Sequence, residues 1–148
     1  MSIYKDNFQT FESLEKEIRS CEVEGFQDFL NYHLANHHVW KMIYEYTTKY
    51  EARGMEVGIE CIWNIARHFI IFDVDKSNKD IYKLNNNYKR FYARLYNEVL
   101  DKKYFKLRSS EADSIDYAKL IRYLTKLRDK QRLTALKPKG NNNDRSRV

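Results

Sequence analysis

No proline interrupts the chain before Pro138, and the only glycines ahead of it are Gly25, Gly54 and Gly58. Hairpin turns and sandwich corners draw on these two residue types more than any others, for a positive φ or a fixed one. Their scarcity directs the 148 residues toward helices, and this length suffices for one ordinary core. Although 43% of residues are hydrophobic, twelve Tyr, eight Phe and two Trp supply much of the apolar area, which favours a folded chain over a disordered one. The expectation is a single helical domain over residues 1–136. Residues 137–148 are too polar to fold and read as a flexible basic tail.

Apolar spacing places the helices. Thr10 or Ser13 caps a short helix ending near Ser20, with Phe11, Leu14 and Ile18 on one side. A second helix covers 25–35 and is apolar over most of its circumference. Asn36 reads as the N-cap of a third, 37–53, in which Val39, Trp40, Ile43, Tyr46, Thr47 and Tyr50 recur at helical spacing. Gly54 stands where a left-handed C-cap residue is wanted. A fourth helix follows at about 57–70, and 73–80 reads as a polar loop. The clearest helix starts after the cap candidates Asn85 and Asn86. It aligns Tyr88, Phe91, Tyr92, Leu95, Tyr96 and Val99 on one face, and Asn87, Lys89, Arg90, Ala93, Arg94 and Asn97 on the other. Residues 104–108 alternate at period two, as a short strand does. A last helix spans about 114–136.

Charge is uneven along this series. The whole chain carries +6, residues 1–35 carry −4 and residues 36–81 carry −1. Residues 82–108 hold eight cations against Glu98 and Asp101, a local net of +6. An excess of this size suits a polyanion, since each neutralised phosphate releases counterions. Three successive helices with a cap, a glycine stop and a basic third member match the helix-turn-helix plan. The predicted fold is therefore all-α, with a helix-turn-helix-like core at about 36–108, extra N- and C-terminal helices, and a short β-wing at 104–108. Asn86 and Asn87 lie in the first turn of the third member, where an amide can bond adenine bidentately. Arg90 and Arg94 suit guanine or phosphate, and Lys83, Lys89, Lys106 and Arg108 suit phosphate. The segment between the two helices, roughly 72–84, is longer than the turn of the simplest form.

Several strings in this region carry a family likeness: His38-Val39-Trp40, Ile62-Trp63-Asn64-Ile65-Ala66-Arg67-His68, Lys83-Leu84-Asn85-Asn86-Asn87-Tyr88, Tyr92-Ala93-Arg94-Leu95 and Phe105-Lys106-Leu107-Arg108. Residues from about 36 to 108 resemble short phage- and prophage-encoded proteins of unassigned function. Two positions depart from the family pattern. A proline usually stands where this chain has His37, and a tryptophan where it has His68. Family members tend to end near the position of Arg108, so residues 1–35 and 109–148 are additions. The resemblance implies a viral or prophage origin more than it implies a mechanism.

Other chemistries find weaker support. His33 and His37 stand at a zinc-compatible spacing, with His38 and His68 elsewhere, yet no cysteine or carboxylate completes a metal motif. Asp73, Asp75 and Asp80 lack the glycine and terminal glutamate of a calcium loop. Glu56 and Glu60 lack the third acid and lysine of a nuclease site. No phosphate loop or nucleophile motif occurs. The chain is expected to have no enzymatic activity, metal or cofactor. Cys21 and Cys61 are read as reduced thiols, there is no apolar leader at residues 1–5, and the apolar run 69–72 is far short of the roughly 20 residues a membrane span needs. Together these predict a protein of the cytoplasm, that of a bacterial host if the origin is viral. The expected partner is double-stranded DNA, bound by a regulator. The alternative is an inhibitor of a host defence protein acting by protein-protein binding. The helix at 114–136 can pack on the body or pair two copies as a homodimer.

Overall fold

The computed structural model describes residues 9–73 and 86–136, and these are all-α. The helices are α1 (Phe11–Arg19), α2 (Phe26–Ala35), α3 (His37–Ala52), α4 (Ile59–Asp73), α5 (Lys89–Val99) and α6 (Tyr117–Leu136), with 3-10 turns at Asn86–Tyr88 and Glu111–Ser114. The expected loop at 73–80 and the tail at 137–148 lie outside the described residues, apart from Asp73, which ends α4. Contacts gather into two compact units, residues 19–117 and residues 1–18 with 118–148.

In the unit 19–117, α5 is the central element. The aromatic face read from the sequence is buried at Phe91, Tyr92, Leu95 and Tyr96. Phe91 stacks on Phe29 at 4.9 Å and meets the Phe26 edge at 5.8 Å. Tyr92 packs against Trp40 at 6.1 Å and Trp63 at 5.7 Å, so one tyrosine joins α3, α4 and α5. Burying one such ring contributes on the order of 2 kcal/mol. Val99, assigned to the same face, is instead exposed, because it lies in the last turn of the helix.

Helix ends follow from local chemistry. Thr10 Oγ1 accepts from the Ser13 amide at 3.1 Å, an N-cap for α1. Gly54 has φ 72, and the Gly54 and Met55 amides donate to the Glu51 and Tyr50 carbonyls, closing α3 as a Schellman turn. α5 closes in the same way on Asp101, a non-glycine residue at φ 50. Asn36 precedes α3, but its side chain donates back to the Tyr32 carbonyl at 3.0 Å and makes no cap bond to α3. α5 likewise starts from Tyr88 without a side-chain cap.

The β-wing expected at 104–108 is absent, and no strand occurs among the described residues. Asn97 takes the place of a neighbouring strand: its Oδ1 accepts the Phe105 amide at 3.1 Å and its Nδ2 donates to the Phe105 carbonyl at 3.0 Å. The Phe105 ring is buried, and the Tyr104 hydroxyl donates to the Met55 carbonyl and accepts from the Val57 amide. Alternation therefore reflects one anchored aromatic beside exposed Lys106 and Arg108, without a ladder.

In the other unit, α1 packs on α6. Phe11 stacks on Tyr123 at 5.7 Å, the Tyr123 hydroxyl donates to Glu15 at 2.8 Å, and Lys119 pairs with Glu17 at 2.8 Å. Leu14, Ile18, Leu120 and Tyr123 are buried. The final helix begins at Tyr117, since Ser114 belongs to the preceding 3-10 turn.

Candidate nucleic-acid interface

The sequence assigns Arg90, Ala93 and Arg94 to a solvent face of α5, and the structure overturns that assignment. No residue from Tyr88 to Asn97 is exposed, and Phe91 to Tyr96 are all buried. The connection following α5, residues 100–116, lies over the supposed outer face. Arg94 is only 6% exposed. Its Nε donates to Asp113 Oδ1, its Nη1 to the Arg90 carbonyl and its Nη2 to the Arg108 carbonyl, each at 2.8 Å. Arg90 donates to the Glu24 carbonyl and to Ser110 Oγ, and its guanidinium stacks on the Phe91 ring at 4.7 Å. These bonds leave neither arginine presented as a groove-reading side chain.

The local charge excess is partly offset in space. Lys89 pairs with Glu60, Lys102 with Glu51 at 2.7 Å, and Lys106 with Glu56 at 3.2 Å. The three acids come from the end of α3, the connection after it and the start of α4, segments far away in sequence. Lys102 holds the Glu51 carboxyl below its ordinary range, with the Tyr96 hydroxyl assisting at 3.1 Å. Burial, and then that same carboxylate, push Tyr96 upward. Arg94, followed by the Ser110 amide, holds Asp113 low.

The remaining sites fall as follows. Lys83 lies outside the described residues. The Asn86 backbone is in the 3-10 turn, and its side chain lies outside them. Asn87 is exposed. Lys106 and Arg108 are exposed on the connection, and Lys103, not singled out from the sequence, is exposed beside them. A groove of about 460 Å³ runs along this edge, lined by Asn97, Asp101, Lys102, Lys103 and Leu107 over a floor containing Arg94. Asp113 is the decisive residue that sequence reasoning passed over. Its signal is the Ser110-Glu111-Ala112-Asp113 spacing of a capping box, which the structure forms in full.

His33, a metal-ligand candidate by its spacing, is buried with its Nδ1 at 3.1 Å from the Tyr92 hydroxyl. Among the described residues no group of three or more His, Cys, Asp or Glu side chains converges as a metal site. Nor is any helix among them long and apolar enough to cross a membrane. No family model matches the chain, and neither a curated protein nor a solved structure does.

Proposed function

We propose that the chain is a nucleic-acid-binding protein, a DNA-binding regulator of phage or prophage type, that grips the phosphate backbone with the connection after α5 and does not insert α5 into a groove. The observation supporting this reading is Arg108. Its carbonyl is fixed by Arg94 at 2.8 Å while its side chain stays exposed, so a cation is displayed on a backbone that is already ordered. Lys106 stands two residues away. Its contact with Glu56 joins side chains that are 86% and 61% exposed, and such a pair contributes no more than about 1 kcal/mol. A phosphate can replace Glu56 at little cost.

Phosphate contacts of this kind give affinity without base reading and make binding steeply salt-dependent. The test is an anisotropy titration of the full chain with a mixed-sequence duplex at several salt concentrations. Binding should weaken as salt rises. Lys106→Ala combined with Arg108→Ala should make the slope of log affinity against log salt shallower by about two, near 0.9 per lost contact. A wild-type chain with no salt-dependent duplex binding would remove this reading altogether.

A further inference from the structure

The structure redraws the distribution of charge. With Lys89, Arg94, Lys102 and Lys106 paired to the chain's own acids, the largest remaining excess of cations lies toward the C-terminal end of the sequence. Residues 119–136 carry six cations and one acid, and residues 137–148 carry four and one, a net of +8 where residues 1–118 carry −2. Within α6 the cations divide into two groups. Lys119 is bonded to Glu17 at 2.8 Å, and Arg122 also acts on that carboxylate. Beyond Leu124 the situation changes. No carboxylate among the described residues lies within ion-pair distance of Lys126, Arg128, Lys130 or Arg132, and every residue from Arg128 to Ala135 is exposed.

Ordinary helix requirements do not explain the pattern. Cations stabilise a helix when they sit in its last turn, against the negative end of the dipole, but the last turn of α6 contains none. Like charges four residues apart repel on a helix surface, and both Lys126/Lys130 and Arg128/Arg132 have that spacing. At about 100° per residue the two pairs fall on opposite edges of the stripe that runs from Leu120 and Tyr123 through Leu127 to Gln131. Each pair extends about 6 Å along the axis. Lys130 also lies over the Phe11 ring at 4.6 Å, which holds it toward its edge of the helix.

We infer that the C-terminal half of α6 is a second polyanion-binding surface, a helix that lies along a nucleic-acid duplex and places Lys126 and Lys130 against one phosphate strand and Arg128 and Arg132 against the other. This inference rests on the proposed nucleic-acid function and assigns most of the binding strength to α6. A helix fits the major groove, about 12 Å wide and walled by phosphates on both sides, and cations on two edges match that geometry better than they match a single acidic patch on a protein.

The experiment compares the full chain with Lys126→Gln, Arg128→Gln, Lys130→Gln and Arg132→Gln combined, glutamine being a good helix former that removes charge without breaking the helix. Circular dichroism checks the fold, and a charge-retaining control combines Lys126→Arg with Lys130→Arg. The neutralised chain should show a salt slope shallower by about three to four and duplex affinity at low salt lower by roughly a hundred-fold, while the control keeps the wild-type slope. If wild type binds and the neutralised chain keeps its slope, the α6 assignment is wrong and the function proposed above survives. Wild type that fails to bind duplex at low salt removes both. Equal wild-type affinity for polyglutamate and for duplex overturns the duplex as occupant in favour of an acidic protein partner.

Discussion

Arg94 and Asp113, nineteen residues apart, are locked by a 2.8 Å bond from Nε to Oδ1, in which a buried guanidinium meets a carboxylate that is half exposed. The same guanidinium closes on the Arg90 and Arg108 carbonyls. One side chain thus ties the connection after α5 to the middle of that helix. A charge removed from water needs such a full set of partners, and Arg94 has one. Arg94, which the sequence offers as a guanine or phosphate contact, works in the structure as a clasp.

Arg94→Met is expected to destabilise the unit by about 2 kcal/mol, since the ion pair to Asp113 and the bond to the Arg108 carbonyl are both lost. Arg94→Lys should recover little, because an ammonium does not reproduce the planar fork. Urea unfolding midpoints measure both. An Arg94→Met chain as stable as wild type would show that the clasp is decorative.

Tyr92 carries both a packing role and a polar one; Tyr92→Phe isolates the polar one, and Phe91→Ala gives the packing scale for the neighbouring ring of the same face. Tyr92→Phe retains the ring contacts with Trp40 and Trp63 and removes only the hydroxyl that meets His33 Nδ1 at 3.1 Å. The loss should be about 1 kcal/mol. Phe91→Ala, which opens a cavity beside Phe29 and Phe26, should cost about 3 to 5 kcal/mol. Thermal denaturation of the two variants should preserve that order, and the reverse order would mean that the core is held chiefly by its polar bond.

The two Schellman closures give predictions of opposite sign. Gly54 has φ 72 and nothing within 4 Å of where a methyl group would stand, so Gly54→Ala meets no clash and should lose about 1 kcal/mol from backbone strain alone. Asp101 already bears that strain at φ 50, and Asp101→Gly should gain about 0.5 kcal/mol. Chemical denaturation is the measurement, and a destabilised Asp101→Gly would show that its carboxylate does more than turn the chain.

Acid and alkali should each weaken the fold, for different reasons. Lys119, Lys102 and Arg94 lower the Glu17, Glu51 and Asp113 carboxyls respectively. Stability from a lowered carboxyl is complete above its unfolded value, 4.5 for Glu and 3.8 for Asp, and is lost as pH falls through the folded value. Burial raises Tyr32 to about 12 and raises Tyr92, Tyr96 and Tyr117 as well. Their contribution is complete below the unfolded value of 10.0 and disappears as pH climbs toward the folded ones. Melting temperature should therefore plateau between these limits and drop on both sides, with tyrosinate absorbance following the alkaline loss. A melting temperature that held constant through the acid range would refute the carboxylate part.

The amino-acid sequence alone determined that the described chain is helical, and it located most helix ends, because those signals are local. Thr10 caps within three residues, Gly54 closes its own turn, and the recurrence of Phe91, Tyr92, Leu95 and Tyr96 reports a buried face within one helix. Tertiary structure alone decided which cations remain available. Coulomb attraction depends on distance in space and decays over about 10 Å in salt, whatever the separation along the chain. Lys102 therefore meets Glu51 across fifty-one residues, a pairing with no periodicity to announce it. The far side of α5 was equally illegible, since the connection that buries Arg94 is irregular and packs through single anchors such as Asn97 and Asp113. A count of charges along the sequence pointed to α5; folding neutralised that helix and left the end of α6 bare.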